Sequence, residues 1–220
     1  GELRLLPPNQ AVWIKKLHAL TDHKSTAFSV GPQMIAELSP QEAWEIVGMV
    51  WPNIQVDEVK TGLLKTFEFA RHPKVLEVLD LGANDESEFV RDYAYAYLQN
   101  YALRDFKKPE HEYQSWRSEN AQKTIDEVLA ANCQWFVDQL RSQPPITDPM
   151  AWQEMEMMLE LSGSKSSYPV KAEYLIKAGL PAVLRSWRDD PQLDDRLKRQ
   201  ITTFLGKLEK TLDDSLSYEN

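Results

Sequence analysis

The feature that most constrains this chain is its run of legible helix starts, each followed at once by apolar residues three and four apart. Ser39-Pro40-Gln41-Glu42 offers an N-cap hydroxyl, a proline at the first helical position and a glutamate able to close a capping box, just before Trp44, Ile46 and Val47. Thr124 with Glu127 repeats the box before Val128 and Leu129, and Asp85 with Glu88 is its acidic variant. Asp148-Pro149 opens a run holding Trp152, Met155 and Leu159, and Gly179-Leu180-Pro181 stops one helix and starts the next.

Apolar periodicity agrees with these starts. Val59, Leu63, Phe67 and Ala70 fall on one helical face, as do Val90, Ala94, Tyr97 and Tyr101, and later Leu193, Leu197, Ile201, Leu205, Leu208 and Leu212. The spacing predicts helices near 10–21, 32–38, 40–50, 54–70, 73–81, 86–105, 124–141, 149–161, 169–178, 181–188 and 193–214, with room for a short one within 106–123. Strand-length alternation is not found, so the expected class is all-α. The 8 glycines against 13 prolines point the same way, because hairpins lean on glycine and helix starts on proline. The whole of 1–220 reads as a single domain, with a possible sub-boundary at the stiff spacer 142–149.

A net charge of −9 opposes sequence-independent binding of nucleic acid or anionic lipid, both of which need local cation excess. No nucleic-acid partner and no membrane insertion are expected, since no apolar run approaches spanning length. Cys133 stands alone, which forbids an internal disulfide and a cysteine-rich zinc site and slightly favours the cytoplasm. The chain starts with Gly1 rather than Met, which is compatible with trimming of a targeting segment, and localisation is open.

Internal similarity suggests an architecture. Pro73-Lys74-Val75-Leu76-Glu77-Val78-Leu79, a turn at Asn84-Asp85, then Phe89-Val90-Arg91-Asp92-Tyr93-Ala94 with Leu98 resembles one HEAT-type repeat. Pro40 to Phe67 carries Val59-Lys60, Leu63 and Phe67 in the matching places, and Pro181 to Leu205 carries Leu197-Lys198, Ile201 and Leu205. Val59 and Val90 lie about 31 residues apart, within the usual period of helical repeats. The resemblance to the HEAT/armadillo-like families implies an α-α superhelix, a solenoid of antiparallel helix pairs, acting as a scaffold that binds another macromolecule, most naturally a protein, on a concave helical surface. The alternative is an enzyme on the same kind of scaffold, similar to DNA glycosylases or bilin lyases.

The chemical motifs carry bland readings. Ser162-Gly163-Ser164-Lys165 matches an SxxK signature, but its look-alike companions, Ser118-Glu119-Asn120 and Lys60-Thr61-Gly62, run in reversed order with no α/β framework around them. The histidines, His18, His23, His72 and His111, never sit at ligand spacing on one helix face, and His72 reads as a helix-start residue before Pro73. Asp189-Asp190 and Asp194-Asp195 lack the calcium-loop pattern and suit a helix N-terminus. Met150, Met155, Met157 and Met158 beside Trp152 read as core filling or an adaptable contact. No catalytic residue, metal or cofactor is expected. The candidate partner-binding residues are Lys60, Arg91, Tyr95 and Gln99, read as one ridge, together with Trp135 at the edge of its helix's apolar face. In the family, the basic residue at the Arg91 position pairs with the acidic turn, here Asp85, while Trp116 is expected to anchor its connector.

Overall fold

The computed structural model describes residues 8–19, 38–67, 74–108, 111–159 and 171–217. These form eleven α-helices and, among the described residues, no strand. In chain order they are α1 (Pro8–Ala19), α2 (Pro40–Val50), α3 (Asp57–Thr66), α4 (Val75–Ala83), α5 (Glu88–Ala102), α6 (Tyr113–Glu119), α7 (Ile125–Ser142), α8 (Pro149–Leu159), α9 (Ala172–Lys177), α10 (Leu180–Arg188) and α11 (Asp195–Ser217). The all-α reading holds, and α6 is the short helix expected within 106–123. Residues 32–37 of the helix expected near 32–38, His72-Pro73 and Ser162–Lys165 lie outside the described residues.

Capping chemistry places the best-defined boundaries. The Ser39 N–H donates to the Glu42 carboxylate at 2.9 Å while Ser39 Oγ accepts from the Glu42 N–H, and Thr124 with Glu127 reproduces the exchange at 2.8 Å. Asp148 accepts from the Met150 N–H, and Gly179, at φ 90°, supplies the left-handed residue between α9 and α10.

Several boundaries shift by a few residues from expectation, and two starts carry a clear physical reason. α3 starts at Asp57 because Trp51–Asn53 close a single 3-10 turn after α2, and Ile54 and Val56 are then extended. α5 starts at Glu88 because Ser87, not Asp85, is its cap, accepting the first helical bond from the Arg91 N–H. The Asp85 carboxylate faces inward instead.

The chain divides into two compact units, Gly1–Leu98 with Asp105–His111, and Gln99–Arg104 with Glu112–Asn220. In the first, α1 packs on α2, and α4 packs on both α2 and α3. Their interior holds Ile46, Val47, Val59, Leu63, Leu64, Val78, Leu79, Val90 and Ala94, all buried. Gly82 permits the tightest approach, since a Cβ there would stand 2.6 Å from Leu64 Cδ1 and 2.9 Å from Ala94 Cβ.

In the second unit α9 and α10 pack on α7 and on α11 around a core of Cys133, Phe136, Trp152, Leu175, Leu184, Ile201 and Phe204. Trp116 is buried and donates its indole N–H to Asn132 Oδ1 at 3.0 Å, tying α6 to α7 as an anchor. The spacer 142–149 lies within this unit, and its Ile146 packs against the same core. Leu103, at φ 52°, accepts the left-handed conformation that ends α5, and its side chain is held in the core, an arrangement glycine could not supply.

Candidate functional site

The turn between α4 and α5 gathers a buried polar cluster in the first unit. Asp85 is buried, and its carboxylate accepts from Lys60 Nζ at 2.7 Å, from the Trp51 indole N–H at 3.0 Å and from the Ser87 N–H at 3.0 Å. Burial alone raises this carboxyl. The hydrogen bond from Lys60, the Ser87 N–H, the Lys60 charge and the Trp51 indole outweigh that effect and hold the group below its ordinary value. Ser87 Oγ in turn donates to Asp57 at 2.6 Å, so the start of α3 is tied to the same turn.

Lys60 and Arg91, read from sequence as contact residues, are both committed here. Only 15 % of the Lys60 side chain is exposed. Arg91 does meet the acidic turn, but through the carbonyls of Asp85 and Glu86, to which its Nη1 donates at 2.7 and 2.8 Å, and not through the Asp85 carboxylate. The carboxylate was already filled from α3, a partner one helix further back than the local sequence suggested.

The other candidates disperse. Tyr95 is half-buried, with its ring 6.0 Å from that of Phe106 in the segment after α5, which covers the flank that the helical wheel left open. Gln99 is half-buried on the last turn of α5 and accepts the Leu103 N–H on its carbonyl. Trp135, in the second unit, is half-buried against the core, and the Arg104 guanidinium lies 4.1 Å from its ring centroid.

What α5 does present outward is a pair of aromatics that sequence reading passed over. Phe89 is 48 % exposed and Tyr93 is 40 % exposed, one turn apart, with ring centroids 5.0 Å from each other. Tyr93 leads on to the buried Tyr97 at 6.1 Å, so the ladder runs from solvent into the core. Phe89 also lines a shallow open cleft of about 420 Å³ with Gln55, Val56, Asp57 and Glu58 at the start of α3. Residues 89 and 93 share a face about a quarter-turn off the Val90–Ala94 stripe, a flank that helical spacing alone does not distinguish from the covered one at Tyr95.

Elsewhere, His111 Nδ1 lies 3.1 Å from the Asp105 carbonyl, and Asp190 and Asp194 accept backbone N–H groups two residues on. Among the described residues no group of three His, Cys, Asp or Glu side chains could hold a metal ion, and no helix is long and apolar enough to cross a membrane.

Among the described residues the protein is all-helical, with an exposed aromatic pair on α5 and a cleft beside Phe89 in its first unit. Compared with protein-family models, curated proteins and solved structures, the chain matches none.

Proposed function

We propose that the chain is a HEAT-like helical-repeat scaffold whose first unit binds another protein through the outward flank of α5. The exposed Phe89–Tyr93 pair carries this reading, because two large aromatics in tilted contact at the surface beside a cleft offer contact area at little rotamer cost. The repeat character is supported by the α4–turn–α5 unit, whose Asp85 is pinned by Lys60 of the preceding α3, the residue at the matching place in the earlier repeat. Within that scheme Lys60 and Arg91 hold successive helices in register. Tyr95, Gln99 and Trp135 lend packing to the scaffold, and the partner meets Phe89 and Tyr93.

A photo-reactive phenylalanine analogue replacing Tyr93 tests this in the native cell. A discrete cross-linked protein is expected there and not with the same analogue at exposed Gln139, and purified partner should bind the Tyr93→Ala variant about tenfold or more weakly, as befits a hot-spot aromatic. Identical cross-linking at both positions, or unchanged affinity, would remove this flank from the binding site.

A further inference from the structure

We infer that the segment seated on this flank is an arginine-bearing stretch of the partner protein; the inference rests on the interaction reading above and adds the chemistry of the occupant. Residues 55–60 and 85–93, which supply the cleft and the aromatic pair, contain six carboxylates and two cations. Both cations are engaged inside the protein, Lys60 on the buried Asp85 and Arg91 on two backbone carbonyls. A third basic residue, Lys107, is on Asp92 at 2.9 Å. Carboxylates thus outnumber cations in these two stretches, and Glu86 and Glu88 stand exposed beside Phe89.

Aromatic faces attract cations through the ring quadrupole, and the molecule uses that attraction repeatedly. Lys60 lies over Trp51, Lys74 over Trp44 and Arg104 over Trp135. Among the described residues no cation lies over Phe89 or Tyr93. An incoming guanidinium satisfies both features of the flank, stacking on a ring while its N–H fork meets a carboxylate. Lysine offers only a compact, strongly hydrated charge, and a phosphate or anionic lipid headgroup meets repulsion. Val56 in the cleft wall accommodates an aliphatic neighbour of the arginine.

The probe is an acetylated heptapeptide, Arg-Leu-Arg-Gly-Arg-Leu-Arg, titrated into the full nitrogen-15-labelled chain, with the same peptide carrying citrulline at every arginine as its uncharged control. Amide shifts are expected to concentrate at residues 55–58 and 86–93, with the citrulline peptide about tenfold weaker. Phe89→Ala with Tyr93→Ala should weaken the arginine peptide by about fivefold or more, and Phe89→Leu, which keeps the apolar bulk and removes the ring, by about threefold. Glu86→Gln with Glu88→Gln should weaken it about threefold, and thermal melts should show all variants folded.

Shifts scattered over the acidic surface, equal binding of the citrulline peptide, or full affinity in the Phe89 and Tyr93 variants would overturn the assignment. If the arginine peptide fails while the Tyr93 cross-link still identifies a partner, the interaction reading stands and the arginine chemistry falls. Failure of both removes both.

Discussion

Asp85 shows how one residue can take a role that its neighbours in sequence do not reveal. It stands three places before Glu88, where it could cap α5, yet its carboxylate collects donors from Trp51, Lys60 and Ser87, the first two more than twenty residues away. Replacing it by alanine leaves a buried indole N–H and a largely covered ammonium without an acceptor, which should cost about 2–4 kcal/mol. A double-mutant cycle of Lys60→Met and Asp85→Asn should show a coupling of about 1–2 kcal/mol in denaturant melts, whereas Arg91→Ala with Asp85→Asn should be additive within about 0.5 kcal/mol. The contrast follows because Arg91 holds the backbone carbonyls, which any residue at 85 retains. Equal coupling in both cycles would mean that the carboxylate is shared. The pH dependence has a definite sign: the folded carboxyl titrates below its unfolded counterpart, so its contribution is present above about pH 4 and is lost as pH falls through the lowered folded value. The stability gap between the parent and Asp85→Asn should accordingly narrow on acidification from about pH 6 to about pH 2.5, and a constant gap would contradict the assignment.

At the scale of elements, α4 is where packing is least forgiving. It is nine residues long and buries Val75, Leu76, Val78, Leu79, Gly82 and Ala83, so close to half its circumference is enclosed. Gly82 is needed for closeness and not for backbone angle, because the flanking α3 and α5 press Leu64 and Ala94 against its Cα. Gly82→Ala gains helix propensity on an isolated-helix scale, yet here it should destabilise by about 1–3 kcal/mol through overpacking. Chemical denaturation of this variant beside Gly206→Ala makes the check, since a Cβ at 206 meets nothing within 4 Å and should be neutral or stabilising. Destabilisation by both would point to a general effect on the helices and away from the α3–α4–α5 contact. On α5, the Val90–Ala94 face turns to the core, and its two flanks are treated differently. Tyr95 is covered by Phe106, while Phe89 and Tyr93 are left in solvent.

At the scale of the whole molecule, Cys133 reports on integrity. It is fully buried in the second unit, and that burial pushes its thiol up to about 12, only partly relieved by the Lys171 charge. At about pH 8 the thiolate is then a fraction of roughly one in ten thousand and sterically enclosed, so an aromatic disulfide reagent should label it only through unfolding. Labelling should become fast and stoichiometric in denaturant, and complete labelling of the native protein within minutes would show that this core opens locally. The helical class and most helix starts among the described residues were legible in the sequence because their causes are local. A cap reaches three residues, a proline acts on its own turn, and an apolar stripe repeats every three or four positions; hence Ser39, Thr124, Asp148 and Gly179 each open a helix where expected. The allocation of outward side chains was not legible. A helical wheel says which face is wet in isolation, but whether Tyr95 or Tyr93 stays exposed depends on where the segment carrying Phe106 lies, and whether Lys60 is free depends on a carboxylate twenty-five residues on. Contacts between segments remote in sequence settle such choices, and only the tertiary structure supplies them.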